Sequence, residues 1–209
     1  MEQMNNMQPQ EYVRPLMSAT IGDLLRKWAR EIPDNECVVY PQGQKRWTWK
    51  QFDELTDVVA RGFMAMGVNK GDKIAIWATN VPEWIITFFA AAKMGAVLVT
   101  VNTNYKQFEL EYLLGQSDTH TLVMIDSLKD SNYVEIIKEL CPELETAEKG
   151  KPLHIKRLPF LRNIVTVESS QKGCYTWEEA NALAERVPVE EVYYRAARID
   201  KHDVANMQY

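Results

Sequence analysis

The stretch that decides the fold is "KIAIWATNVPEWIITFFAAAKMGAVLVTV", Lys73–Val101. It opens with a short apolar run containing two β-branched residues, and it closes with "AVLVTV", whose only polar residue is Thr100. Both runs are typical of strands covered on both faces of a parallel sheet. Between them, Pro82 is a favourable first residue for a helix and Gly95 a favourable residue to end one. The apolar residues of this predicted helix that share a face are Ile85, Phe88, Phe89 and Ala92. The stretch therefore predicts a strand–helix–strand unit.

The same alternation extends towards the N-terminus. Thr20 is predicted to cap a helix, and Thr48 to cap another, with Gln51 as its capping-box partner. Residues 36–49 are predicted to form a β-hairpin leading into that second helix, with Gly43 in the turn. These elements precede the parallel core.

The alternation also continues towards the C-terminus. The predicted elements are a helix from Lys106 to Gly115, the strand "TLVMID", a helix from Ser131 to Leu140, the strand "NIVTV" and a helix capped by Thr176 with Glu179. Strands alternating with helices at this spacing, joined by right-handed crossovers, predict an α/β fold. We expect a mostly parallel, helix-wrapped sheet, with residues 72–167 as its doubly wound core and residues 1–19 as an N-terminal arm.

Composition excludes several classes of protein. The chain has 209 residues, 46% of them hydrophobic, and a net charge of −5 at pH 7, which suits one folded domain and argues against non-specific binding to nucleic acid or anionic membranes. One stretch, Glu148–Arg162, carries five Lys or Arg residues and one acidic residue; we interpret it as a solvated loop rather than a binding patch. The longest apolar run is interrupted by Lys93 and Gly95, so no membrane span is predicted.

The cysteines and the polar start of the chain indicate a cytoplasmic protein. Cys37, Cys141 and Cys174 are widely spaced and form no CxxC pair, which favours reduced thiols over a disulfide or zinc framework. The opening residues, "MEQMNNMQPQEY", lack the basic and apolar regions of a signal peptide.

Nucleotide-binding α/β proteins carry a glycine-rich turn after a strand, and these residues contain no G-x-G or Walker pattern. Asn80 and the amides that follow it could hold an anion at a helix start, but we favour a helix cap. Asp126 lies where many α/β enzymes place a catalytic acid, but we favour a turn role. Glu109 and Glu111 are expected to face solvent, because helical spacing places Phe108 and Tyr112 on one face.

Other chemistry-bearing residues also have simpler structural interpretations. The histidines are too far apart in the sequence to suggest a metal site or a catalytic triad: His120, His154 and His202. Four tryptophans could stack on a ligand but are more simply buried packing residues: Trp47, Trp49, Trp77 and Trp84. The residues alone therefore predict a scaffold with no catalytic, cofactor-binding or metal-ligating residue.

The order of segments closely resembles the opening of the AMP-forming acyl-CoA synthetases of the adenylate-forming superfamily. "WTWKQFDEL" resembles the first core motif of that family, and "AAKMGAVLVTVN" resembles the second. The resemblance spans residues 21–126 and resumes over "DKHDVANMQY", residues 200–209. "NTNYKQFELEYLLGQSD" is more similar to the fatty-acyl members than to the acetate or aryl members.

The resemblance implies a two-step ligase reaction that uses a fatty acid or other carboxylate, ATP, Mg²⁺ and CoA. It also implies that the phosphate-binding loop follows Tyr209, so none of the family's site residues maps onto this chain. We therefore expect an N-terminal piece of the large AMP-binding domain, without the mobile C-terminal domain and without activity of its own. Sheet surface left uncovered in such a piece would favour self-association.

Two other hypotheses remain open. The chain could be a non-catalytic interaction module derived from this family, paired with a partner that supplies the rest. It could also be an independent small α/β enzyme, although that reading needs a polar cluster that the sequence does not show.

Overall fold

A computed structural model describes residues 18–209 of the chain. The helices are α1 (Ile21–Glu31), α2 (Trp49–Ala65), α3 (Pro82–Met94), α4 (Gln107–Gln116), α5 (Tyr133–Leu140), α6 (Trp177–Ala182) and α7 (Val189–Ala196). The strands are β1 (Glu36–Tyr40), β2 (Lys45–Thr48), β3 (Lys73–Trp77), β4 (Val97–Thr100), β5 (Thr119–Met124), β6 (Ser127–Leu128), β7 (Ser131–Asn132), β8 (Asn163–Thr166), β9 (Tyr175–Thr176) and β10 (Asn206–Gln208). Most of the predicted 1–19 arm lies outside the described residues.

The centre of the molecule is a six-stranded sheet in the order β10–β4–β3–β5–β8–β9. Every pair of neighbours in this sheet is parallel. Strands β1 and β2 form a separate antiparallel hairpin, and β6 and β7 form a second, very short one. The predicted α/β class with a mostly parallel sheet is confirmed.

The strand order determines which face each helix covers. The chain steps from β3 to β4 in one direction and then returns past β3 to β5 and on to β8. Right-handed crossovers therefore place α3 on one face of the sheet and both α4 and α5 on the other. The packing agrees, because α3 contacts α1, α2 and α7, while α4 contacts α5. The sheet core, exemplified by Ile76 and Val123, is fully buried between these layers.

Local sequence signals account for three helix starts. In each, a threonine hydroxyl oxygen accepts a hydrogen bond from the backbone N–H three residues later: Thr20 from Asp23 (3.1 Å), Thr48 from Gln51 (3.3 Å) and Thr176 from Glu179 (3.2 Å). The side chain of the later residue returns a bond to the backbone N–H of each threonine, which completes a capping box. The predicted caps are confirmed.

The predicted face of α3 is not its most deeply buried face. Of the predicted face, Ala92 is buried but Ile85, Phe88 and Phe89 are only partly buried, whereas Ile86 and Ala90 are buried. The helix is apolar almost all round and lies between the sheet and other helices, so its periodicity does not define one inward face.

The start of one helix also differs from prediction. The helix predicted from Ser131 begins at Tyr133, because residues 131–132 pair with β6 and the Asn132 side chain caps the helix. In the first hairpin, Gly43 lies in the turn, as predicted; it ends a 3₁₀ turn and is followed by Gln44, which has a left-handed φ of 51°. Among residues 18–209, no helix is both long and apolar enough to cross a membrane.

Candidate functional site at the carboxyl edge of the sheet

The parallel strands end together at one edge of the sheet, where doubly wound proteins bind ligands. The chain leaves β3 towards the face covered by α3, and it leaves β4 and β5 towards the face covered by α4 and α5. Such a reversal creates a crevice beside the strand at which it occurs. The end of β3 is therefore a candidate ligand site.

A stacked aromatic pair fills the space beyond β3. The rings of Trp77 and Tyr133 lie 3.7 Å apart between centroids, with 9° between their planes, and both residues are fully buried. The indole Nε1 of Trp77 donates to the carbonyl oxygen of Asn102 at 3.2 Å. The hydroxyl of Tyr133 donates to the carbonyl oxygen of Thr103 at 2.6 Å. The crevice at β3 is thus filled by two side chains that are hydrogen-bonded to the loop after β4.

An open groove lies beside that loop, between α4 and the end of β10. Its volume is about 390 Å³, and its lining residues are Tyr105, Phe108, Glu109, Tyr112, Leu113 and Tyr209. Phe108 and Tyr112 are 78% and 68% exposed. The one carboxylate of the lining, Glu109, accepts a hydrogen bond from the backbone N–H of Lys106 at 3.1 Å. The groove therefore offers aromatic surface, and none of its lining residues is a cation that would neutralise a triphosphate.

Asn80 does not have the role that the sequence favours for it. The residue that caps α3 is Val81, whose side chain cannot accept a hydrogen bond, and Asn80 is exposed in the preceding loop. The predicted cap at Asn80 is therefore wrong. Asn80 instead lines a separate cleft of about 200 Å³ between β1 and the start of α3.

Asp126 lies in the turn after β5, in keeping with the favoured turn role. Its carbonyl oxygen accepts from the backbone N–H groups of Tyr133 and Val134 at 2.9 and 3.2 Å. Its own N–H donates to Oε2 of Glu168 at 2.9 Å. Its backbone thus links the end of β5 to α5 and to the segment after β8.

The histidines are not brought together. Nδ1 of His120 lies 3.0 Å from the hydroxyl of Thr121, and burial lowers the pKa of this histidine. His154 lines a groove in the basic loop, and His202 follows α7. Within residues 18–209, no group of three or more His, Cys, Asp or Glu side chains could hold a metal ion.

Glu109 is exposed, as expected, whereas Glu111 is half-buried and paired with Arg157. Glu111 accepts from Nε of Arg157 at 2.8 Å. Trp77 is fully buried, whereas Trp47, Trp49 and Trp84 are partly buried against the core. Their positions agree with packing roles.

The basic stretch is largely neutralised by nearby carboxylates. Its ion pairs are Lys149–Glu179 (2.5 Å), Lys151–Glu148 (2.6 Å) and Arg157–Glu111. Exposed pairs of this kind favour the solvated-loop interpretation over a binding patch.

The three cysteines are free thiols. Burial raises the pKa of Cys37 to about 11, and it is the main cause that raises the pKa values of Cys141 and Cys174 to about 12. All three are therefore protonated and weakly nucleophilic at neutral pH.

The local sequence does not identify Tyr133, Asn102 or Tyr105 as site residues, although all three shape this edge. The only signal was an aromatic residue at a helix start for Tyr133 and the sequence "NTNY" after β4 for the others. Neither signal identifies a partner, because the contacts join segments that are distant in the chain.

The fold and its open carboxyl edge define a helix-wrapped α/β domain of the kind that holds a ligand beside its strand ends. The chain belongs to the AMP-binding enzyme family, whose model matches residues 25–209. The predicted family is thereby confirmed.

Relatives named as acyl-CoA synthetases or ligases match most of the chain. A protein of Bacillus subtilis (strain 168), YngI, whose name describes it as an acyl-CoA synthetase, is 45% identical over 195 residues, covering 93% of this chain and 35% of its own length. The human mitochondrial medium-chain acyl-CoA ligase ACSF2 is 32% identical over 195 residues, covering 93% of this chain and 32% of its own length. The chain therefore spans about a third of the length of these relatives.

Solved structures share the fold. The long-chain-fatty-acid-CoA ligase FadD1 of Archaeoglobus fulgidus superposes with a TM-score of 0.65 at 19% identity, over 92% of this chain and 34% of that one.

Proposed function

We propose that these residues are the N-terminal part of the large domain of a fatty-acyl-CoA synthetase of the AMP-forming type. In that reaction, a carboxylate oxygen of the acid attacks the α-phosphorus of ATP, forming acyl-AMP and releasing pyrophosphate. The thiol sulfur of CoA then attacks the acyl carbonyl carbon, the thiol proton is lost, and AMP leaves.

The observation that carries the proposal is the placement of β10. It adds to the sheet beside β4, with Asn206 opposite Leu98 and Gln208 opposite Thr100. Tyr209 therefore lies at the carboxyl edge, next to the open groove. A glycine-rich loop following this residue would present backbone N–H groups at the ligand-binding edge, where they favour a leaving pyrophosphate.

The described residues themselves supply a scaffold for this chemistry. Trp77 and Tyr133 hold the loop after β4, and the groove contributes aromatic walls. The edge carries Asp126 and Glu168, whose backbone N–H and carboxylate are hydrogen-bonded to each other. The resemblance implies that the acidic Mg²⁺ ligand follows Tyr209, so we assign no Mg²⁺ ligand to the described residues. We infer that the 209 residues alone do not activate an acid.

The substrate class is proposed to be a fatty acid. The support is the likeness of "NTNYKQFELEYLLGQSD" to fatty-acyl members, together with relatives named as medium-chain and long-chain ligases. The cytoplasm is the proposed location, supported by three free thiols.

The test is ATP–pyrophosphate exchange by a longer polypeptide that continues past Tyr209 to the full length of the relatives. Acids of increasing chain length, acetate and benzoate are supplied in turn. We expect exchange that depends on a fatty acid and is weak with acetate and benzoate. Exchange driven only by acetate or benzoate would contradict the substrate class, and no acid-dependent exchange would contradict the function.

A second candidate function is a non-catalytic interaction module. It is favoured by β10, whose outer side has no strand partner among the described residues, and by the exposed rings beside it. Unpaired strand edges next to apolar surface promote association.

A further inference from the structure

The loop after β4 is held from inside the protein at two successive carbonyl groups. Asn102 is exposed and Thr103 is half-buried, yet their carbonyl oxygens receive hydrogen bonds from the fully buried residues Trp77 and Tyr133. The donors come from different elements, the end of β3 and the start of α5. Phenylalanine at both positions could fill the same interior space. The indole N–H of Trp77 and the hydroxyl of Tyr133 are therefore the groups that anchor the loop.

The anchored segment is itself a compact turn. The carbonyl oxygen of Asn102 also accepts from the backbone N–H of Tyr105 at 3.0 Å, and its side-chain oxygen accepts from the N–H of Asn104 at 2.9 Å. Asn102 thus accepts the hydrogen bonds that close the turn, and its carbonyl oxygen also accepts from the indole N–H of Trp77. Movement of the two buried donors would move the whole turn.

The turn faces the open groove. Tyr105 lines this groove together with Tyr209, the residue at the end of β10. Since β4 lies between β3 and β10, the turn after β4 separates the closed crevice from the edge where the nucleotide is proposed to bind. Its position therefore sets one wall of that site.

We propose that Trp77 and Tyr133 are positioning residues for the nucleotide site, acting through the Asn102–Tyr105 turn. This inference rests on the proposed function. The aromatic stack closes the crevice beside β3, so the ligand is directed to the side of β4 that faces β10. The hydroxyl of a tyrosine, with an ordinary pKa of about 10, is a protonated donor at neutral pH, and burial raises the pKa of Tyr133 further.

The first test is hydrogen–deuterium exchange on the 209-residue chain. Tyr133→Phe keeps the ring stack and removes only the hydroxyl, and Trp77→Phe removes the indole N–H. A lost hydrogen bond of ordinary strength corresponds to about a fivefold change in a local opening equilibrium. For Tyr133→Phe we expect about fivefold faster exchange at the amides of Asn104 and Tyr105, with the β3 amides unchanged, and for Trp77→Phe at least as large an increase at the same two amides.

The matched control is Tyr175→Phe, which removes a hydroxyl at the opposite end of the sheet in β9. It is expected to leave the Asn104 and Tyr105 amides unaffected. Unchanged exchange of these two amides in Tyr133→Phe, or equal acceleration throughout the sheet, would overturn the anchoring role.

The second test is steady-state kinetics of the longer polypeptide. Tyr133→Phe is expected to raise KM for ATP about fivefold, with KM for the fatty acid and kcat within twofold of the unsubstituted enzyme. A variant that acts only through stability would change both KM values little and lower kcat through loss of folded enzyme. Unchanged KM for ATP would overturn the inference, whereas an unsubstituted enzyme with no acid-dependent ATP consumption would overturn the proposed function.

Discussion

The ammonium nitrogen of Lys93 lies 2.8 Å from Oδ1 of Asp57 in the interior of the layer formed by α1, α2 and α3. Its distance to Oδ1 of Asp53 is 2.5 Å, and Nη2 of Arg26 reaches the same Asp57 oxygen at 3.0 Å. The Lys93 side chain is completely buried. Burial lowers the pKa of its amine, and the two carboxylates oppose that shift. This cluster joins three helices on one face of the sheet.

Lys93→Met should destabilise the protein, because it removes the cation and leaves buried carboxylate charge behind. Breaking a buried ion pair at one partner costs about 3 kcal/mol. We expect a loss of that size in the free energy of unfolding, measured by urea denaturation. Lys27→Met, in an exposed pair with Glu31 at 4.0 Å, should change stability by less than about 0.5 kcal/mol. Equal effects of the two substitutions would show that burial does not determine the cost.

Two helical glycines should respond oppositely to alanine. A Cβ added at Gly62 would meet the carbonyl oxygen of Ala180 at 2.4 Å, so α2 and α6 would have to separate. Such overpacking costs about 1–3 kcal/mol, more than the gain of about 1 kcal/mol in helix propensity. Gly115 has no neighbouring atom within 4 Å of the added Cβ, so Gly115→Ala should stabilise by about 0.5–1 kcal/mol. Thermal unfolding of both variants measures whether each substitution lowers or raises stability. Stabilisation by Gly62→Ala would contradict the close contact between α2 and α6.

Glu179→Gln should reveal a pH-dependent contribution at the start of α6. The hydrogen bond from Lys149, followed by that from the backbone N–H of Thr176, lowers the pKa of Glu179 in the folded protein. The unfolded chain therefore binds more protons than the folded one just below the ordinary glutamate pKa of about 4.3. The stabilisation is complete above that pH and is lost as pH falls through the lower folded value.

Denaturation of this variant at pH 7 and at about pH 2 measures the effect. The glutamine keeps an acceptor for the cap, so the loss at pH 7 should be a few tenths of a kcal/mol, as for other exposed pairs, and it should vanish in acid. Glu178→Gln, in the same helical turn, is the control for the helix dipole. If Glu179→Gln lowered the free energy of unfolding by the same amount in acid as at pH 7, the stabilisation could not come from the ionised Glu179 carboxylate.

Self-association of the 209-residue chain is expected to use the aromatic groove. The double variant Phe108→Ser, Tyr112→Ser removes the two most exposed rings beside β10. Size-exclusion chromatography over a range of concentrations should show association of the original chain and a monomer for the double variant. Phe160→Ser, at a site 52% exposed in the basic loop, should leave association unchanged. A chain that is monomeric at all concentrations would contradict this role of the groove.

Features that depend on local sequence are predictable in this protein. The caps at Thr48 and Thr176 join residues three positions apart, and the alternation of strands and helices predicts the parallel sheet. Local signals also fail in places, as at the buried face of α3 and at the start of α5. At Asn80, the polar residue closest to the helix start lies one position too early, and Val81 occupies the cap.

Features that depend on distant contacts are not predictable in the same way. Asp57 lies 36 residues before Lys93, and nothing near the lysine indicates that it is buried. Phe108 and Tyr112 lie on one face of α4, as expected, but only the position of β10 shows that Tyr209 joins them in a groove. The sequence therefore predicts the scaffold, whereas the residues that form the candidate site at the sheet edge can be identified only from the structure.

The central proposal is that these residues build the edge of a nucleotide site and that the triphosphate is held by a loop following Tyr209. Calorimetric titration with Mg–ATP tests it most directly, using the 209-residue chain and the longer polypeptide side by side. The account predicts no saturable binding by the 209-residue chain at millimolar ATP and clear saturation by the longer one. Tight, stoichiometric binding of ATP by the 209-residue chain would contradict it.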